Sequence, residues 1–142
     1  MNFKIILSAL FLIICQSAFS QENSSVATNR NRSLFSEKGM TKVSVMYPYS
    51  EGNTFNMEYY ETRHMPMVAV LLGENLVKFT IEKGIASGIP NTPLPFIAIG
   101  TFYVKNLGEY QKAIQPNRDA IRADFPKYTN ITPLILVSEV IW

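Results

Sequence analysis

A chain of 142 residues, 47% hydrophobic and 17% charged, has the composition of one globular domain. Its formal net charge of +2, without any basic run, gives no electrostatic footprint for nucleic acid.

The first twenty residues carry a targeting pattern rather than a fold. Lys4 supplies a positive start, Ile5 to Ile14 form a short apolar run, and Ala18-Phe19-Ser20 offers the small residues a signal peptidase reads. The run falls short of the ~20 apolar residues that a membrane span needs. Residues 1–20 are therefore expected to be a signal peptide cleaved after Ser20. The mature chain is expected to be exported, to a periplasm or the extracellular space, with no membrane attachment. Ile14 is larger than the small residue that lipoprotein processing wants before a cysteine, which argues against lipidation of Cys15. Cys15 is also the only cysteine, so the mature chain can form neither a disulfide nor a thiolate metal site. Its stability must come from its core and from association. Three N-x-[ST] sites, at Asn23, Asn31 and Asn130, would matter on a eukaryotic secretory route.

Residues 21–40 are rich in Ser, Asn and charge without periodicity, and are expected to form a flexible leader. The folded domain is expected over residues 41–142. Lys42 to Tyr47 alternates, with Val43, Val45 and Tyr47 on one face, which predicts a first strand ended by Pro48. Phe55-Asn56 predicts a helix start, with Asn56 as cap and Phe55 and Tyr60 at the positions of a hydrophobic staple. Met57, Tyr60, His64 and Leu71 follow helical spacing and should face the interior. Pro66 disfavours helix at Met65, so this helix should bend or restart near His64 before Gly73 closes it.

A second strand is predicted over Leu76 to Ala86, and a proline-rich loop over residues 88–95. Phe96 to Val104 is almost continuously apolar, as in a strand covered on both faces, and should pair with its predecessor as a hairpin. Asn106 and Glu109 form a capping box, and Leu107, Tyr110, Ile114, Ile121 and Phe125 are expected to be the buried stripe of a second helix. Pro116 should kink it, and residues 126–130 should turn. Leu134 to Trp142 is predicted to be the last strand.

The order βαββαβ is that of an α+β ferredoxin-like fold, an antiparallel sheet with two helices on one face. The third and fourth strands are apolar on their other face too, which predicts that a second copy covers it as a homodimer.

From Thr41 to Trp142 the chain resembles the EthD domain family, named for ethyl tert-butyl ether degradation. The resemblance is carried by Lys42-Val43-Ser44-Val45-Met46-Tyr47-Pro48, Phe55-Asn56-Met57-Glu58-Tyr59-Tyr60, His64-Met65-Pro66, Leu71-Leu72-Gly73, Ala98-Ile99-Gly100 and Pro126-Lys127-Tyr128-Thr129. It implies a dimeric α+β barrel, in which two ferredoxin-like sheets pack face to face. It also implies an oxidoreductase or reductase label and a family histidine at His64. The export signal departs from the cytoplasmic location such a resemblance implies.

His64 is the only histidine, with an unperturbed pKa near neutrality (~6.5), so it is the one ordinary proton-transfer group here. An enzyme reading places a small apolar or aromatic molecule in a pocket between helices and sheet. There His64 and Tyr60 would be catalytic, Tyr47 and Tyr60 would donate to a developing oxyanion, and Met67 and Phe102 would form walls. A second reading is a ligand carrier, with haem bound axially by His64 as one version. A third is a structural domain in which His64 is a hydrogen-bonded core residue and the tyrosines are half-buried. No G-x-G-x-x-G follows a strand, since Gly84-Ile85-Ala86-Ser87-Gly88 lacks the spacing. That leaves flavin or haem open as cofactors without a dinucleotide fold. One histidine excludes a two-histidine iron triad within a single chain.

Overall fold

A computed structural model describes residues 37–142. The expected signal peptide, and the expected leader up to residue 36, lie outside the described residues. The compact unit runs from Glu37 to Trp142. Its first residues are already tied down: the Gly39 N–H donates to the Val140 carbonyl at 2.7 Å, and Val140 donates to Met40 at 2.9 Å. Glu37 also pairs with Lys78. The folded unit thus starts slightly before the expected boundary at Thr41.

Strand β1 spans Thr41–Pro48, and the predicted alternation buries Val43 and Tyr47 completely. Helix α1 is built of Met57–Tyr59, a π-turn over Tyr60–His64 and an α-helical run over Met65–Leu72. The Asn56 Oδ1 accepts from the Tyr59 N–H at 3.0 Å, and the Phe55 and Tyr60 rings meet with centroids 5.0 Å apart. The interruption expected near Pro66 is the π-turn, in which the Met65 N–H reaches five residues back to Tyr60. Pro66 itself sits in the first turn of the run that follows, where its missing N–H costs nothing. Gly73 ends the helix at φ 49°, a left-handed conformation that a side chain resists.

Strand β2 spans Leu76–Lys83 and stops short of Ala86. Gly84 still donates to the Ile97 carbonyl at 2.8 Å, its missing Cβ letting the Phe96 carbonyl approach, and beyond it Ile85 is exposed. Strand β3 covers Phe96–Val104, as predicted. The sheet order is β2-β3-β1-β4 with every pair antiparallel, so β3 is a central strand and its apolar run is explained by position.

Helix α2 comprises Leu107–Ile114, a 3-10 turn over Gln115–Asn117 that contains Pro116, and Arg118–Asp124. The Asn106 Oδ1 caps it by accepting from the Glu109 N–H at 3.1 Å. Tyr110, Ile114, Ile121 and Phe125 pack on the core half-buried, whereas Leu107, expected in that stripe, remains 38% exposed on the first turn. A further 3-10 turn over Phe125–Lys127 leads to Thr129, which bridges to Phe55 at the start of α1. Strand β4 spans Leu134–Glu139 rather than reaching Trp142. Ile141 and Trp142 find no strand or core to join and stay exposed.

The fold is the expected α+β ferredoxin-like arrangement. Its core fills the space between α1 and the face carrying Val43, Tyr47, Ala98, Phe102 and Val104. The opposite face is less uniformly apolar than expected. Across the strands its rows read Leu136, Ser44, Thr101, Thr80 and then Ser138, Lys42, Tyr103, Lys78. Leu134 and Leu136 are exposed on it, while the Lys78 ammonium sits 4.6 Å from the centre of the Tyr103 ring.

Candidate functional site

Three of the residues singled out from sequence converge. The π-turn sets the Tyr60 and His64 rings in a stack, centroids 5.6 Å and planes 16° apart. Tyr47, projecting from β1, meets Tyr60 edge-on at 5.4 Å. Met67 packs half-buried against the same core, and Phe102 lies in that core away from this cluster. Phe102 pairs with Val43 and Phe79, whereas Tyr47 pairs with Ala98, roughly 13 Å along β3 at ~3.3 Å per residue.

Sequence reasoning missed the residue that defines the site. Asp124, at the last position of α2, puts its Oδ2 2.9 Å from His64 Nδ1, and the two side chains are only 8% and 5% exposed. Its other oxygen accepts from the Tyr59 hydroxyl at 2.9 Å and pairs with the Lys127 ammonium at 3.0 Å. Asp124 lies three residues after Ile121, so it occupies the apolar stripe of its helix. A carboxylate on that stripe was the signal available.

Burial pushes the His64 pKa below its ordinary value, against the hydrogen bond and charge of Asp124. Burial raises the Asp124 pKa, but the donors His64, Lys127 and Tyr59 outweigh it and hold the carboxyl below its usual range. The pair at neutral pH is thus carboxylate and neutral imidazole. The Nδ1–H donates to Asp124, which leaves Nε2 with a free lone pair. Among the described residues none donates to Nε2, and the only sealed polar side-chain atom without a partner is the Tyr60 hydroxyl.

The Tyr60 hydroxyl rests against Gly100, whose Cβ, if it had one, would collide with it. Nearby the Tyr47 and Tyr128 hydroxyls are hydrogen-bonded at 2.8 Å. Burial, reinforced by these neighbours, raises the pKa of all three phenols well above the ordinary range, so each stays protonated. Tyr128 and Phe125 close the other sides of His64, with centroids at 4.6 and 5.6 Å.

An open cleft of about 630 Å³ lies outside this cluster, walled by Phe55, Pro126 and Tyr128 and edged by Thr54, Asn56 and Lys127. Neither His64, Tyr60, Tyr47, Met67 nor Phe102 lines it. Among the described residues no group of three acidic, histidine or cysteine side chains could hold a metal, and no helix is long and apolar enough to cross a membrane. The haem expectation does not fit the geometry. His64 is only 4% exposed, with the rings of Tyr60, Phe125 and Tyr128 packed on it, whereas a macrocycle needs a wide open face.

These features define a ferredoxin-like α+β domain carrying a buried histidine–carboxylate pair. An EthD-like protein from Ralstonia eutropha has 39% identical residues, a TM-score of 0.69, and a match over 74% of this chain and 95% of its own. The chain belongs to the EthD-like family. An EthD family protein from Bacillus halodurans shares the fold at 19% identity and TM-score 0.53, over 71% of this chain and 98% of its own. No family model and no curated protein matches the chain.

Proposed function

We propose that this EthD-like protein is an enzyme in which His64 moves a proton on a small apolar or aromatic molecule. The observation that carries the reading is the 2.9 Å contact of His64 Nδ1 with buried Asp124, which fixes the tautomer and leaves Nε2 neutral, with its lone pair unprotonated. The rings of Tyr60, Phe125 and Tyr128 around His64 suit a flat substrate whose acidic C–H or O–H comes within hydrogen-bond reach of Nε2. The Tyr60 hydroxyl, protonated and without a partner, is the donor for the negative oxygen that deprotonation creates. Deprotonation is equally the first step of an isomerisation and of a cofactor-free oxidation by dioxygen, so the oxidoreductase label and a non-redox reaction share this residue.

The working unit is proposed to be an exported homodimer. Exposed Leu134 and Leu136 on the open sheet face support association, and a face-to-face sheet pair would cover them.

The test is incubation of the full chain with small phenols, hydroquinones and 1,3-diketones in heavy water, following deuterium incorporation and dioxygen uptake together. His64→Gln should lower the active reaction by about 10²–10⁴-fold while melting as a folded protein. Equal turnover by a folded His64→Gln would remove His64 from the chemistry.

A further inference from the structure

Asp124 is held by more than the base it orients. Its Oδ2 takes the His64 Nδ1–H, while Oδ1 is shared by two donors from different parts of the chain. The Tyr59 hydroxyl reaches Oδ1 at 2.9 Å from the start of α1, and the Lys127 ammonium reaches it at 3.0 Å from the turn that follows α2. The Lys127 side chain is 61% exposed, against 8% for Asp124. A solvated cation is thus applied to a carboxylate that water barely touches.

The contact is built into the fold rather than left to a mobile surface pair. The Tyr59 ring lies nearly parallel to that of Tyr128, planes 12° apart, which fixes where its hydroxyl stands. That hydroxyl is beside the Lys127 ammonium as well as Asp124. The hydrogen bond to Asp124 raises the Lys127 pKa above its ordinary value, so its charge persists wherever a histidine titrates. The other titratable groups around the pair are phenols: Tyr60 of α1 stacked on His64, Tyr128 after α2, and Tyr47 of β1 behind Tyr60. Burial keeps all three protonated and uncharged. Among the described residues, the ion pairs of Asp124 are with His64 and Lys127 alone.

The sign of the effect follows from this geometry. A carboxylate with no cation on its outer oxygen would favour an imidazolium, which has no lone pair at Nε2 to offer. A positive charge on that oxygen opposes this, because ammonium and imidazolium would then repel across one carboxylate. We propose that Lys127 is a positioning residue for the proton transfer assigned to His64: from the surface, through Asp124, it holds the buried imidazole in its neutral, proton-accepting form. The role in turnover rests on His64 being the base, whereas the electrostatic link is read without any turnover.

The chain contains one histidine, so ¹⁵N-histidine labelling of the full, untagged protein gives a single imidazole to follow against pH. Lys127→Arg, Lys127→Met and Lys127→Glu form a charge series at an exposed position. The His64 titration midpoint should stay close to the parent's in Lys127→Arg, rise in Lys127→Met and rise again in Lys127→Glu. A lysine that served only packing or stability would not grade the midpoint with charge. The acid limb of the exchange rate in heavy water should move to higher pH in the same order. Coinciding midpoints in the parent and folded Lys127→Met would overturn the proposal, as would a Lys127→Arg midpoint that follows Lys127→Met. If acid unfolds the parent before His64 titrates, a midpoint visible in Lys127→Glu supports the link, and none in any variant overturns it. Graded midpoints beside full turnover by folded His64→Gln would overturn the base and with it the role in turnover, while keeping the link itself.

Discussion

His64 and Lys127 grip opposite oxygens of one carboxylate, that of Asp124, from the inside and the outside of the protein. The buried partner is an aromatic base and the exposed one a permanent cation. Asp124 can therefore remain ionised in a place that would otherwise neutralise it, and His64 has a fixed tautomer without carrying a charge.

That arrangement fixes the sign of the pH dependence. Folding lowers the pKa of His64 below its ordinary value of 6.5, so the unfolded chain binds the extra proton first. The stability is fully present above that value and is lost as pH falls toward the folded pKa. Asp124, also lowered, adds a second loss at still more acid pH, below its ordinary value of 3.8. Thermal melts should be flat above neutrality and decline on acidification. His64→Gln should remove the first decline while keeping the second; a profile identical to that of the parent protein would contradict the assignment.

Asp124→Asn keeps the shape and removes the charge. Its expected cost is about 1–3 kcal/mol in chemical denaturation, since a buried charge-assisted hydrogen bond is weakened and Lys127 is released. The His64 pKa should fall further in this variant, because burial then acts with less opposition. Imidazole ¹⁵N shifts against pH read that directly.

Tyr60→Phe separates function from structure. The hydroxyl it removes is buried and has no partner, so the variant should be as stable as the parent or more so, by up to about 1–3 kcal/mol. If the hydroxyl donates to a developing oxyanion, turnover should drop by about 10²–10³-fold in the same protein. A variant that is destabilised and fully active would mean that the hydroxyl serves packing.

Gly100→Ala places a methyl group where the Tyr60 hydroxyl and the Met65 sulfur now lie. Overpacking should cost about 1–3 kcal/mol. The Tyr60 ring must give way, and its stack on His64 should carry the disturbance into the imidazole shifts. Unaltered shifts would show that the two rings move independently.

Leu136→Lys sits on the open face, opposite Ser44 and away from the core. The variant should fold normally yet sediment as a monomer under conditions where the proposed face-to-face pairing would make the parent a dimer. Equal sedimentation would exclude this face from the contact.

The fold was legible because its signals are local. Asn56 and Asn106 cap helices, Gly73 stops one, and alternation marks β1. Ends of strands were less so: Ile85, Ile141 and Trp142 are apolar by type, but only the sheet decides whether an apolar residue has a neighbour. Half of the site was readable from Tyr60 and His64 at helical spacing. Asp124, sixty residues on, was not, because nothing local distinguishes a carboxylate turned inward from one facing water. The phenol pair Tyr47–Tyr128 was hidden for the same reason, each member being an ordinary amphipathic residue until β1 and the end of α2 meet.

The pairing of β1 with β4 sets a timetable for folding. Thr41 lies opposite Glu139, so β1 waits for β4, the last of the four described strands to be made, before its outer edge is closed. Closing so long a loop is entropically slow, and the nascent domain has no complete sheet to offer while synthesis continues. The nascent domain should therefore acquire protease resistance only once β4 has emerged to pair with β1. A stalled chain ending before Leu134 would remain cleavable however long it is held.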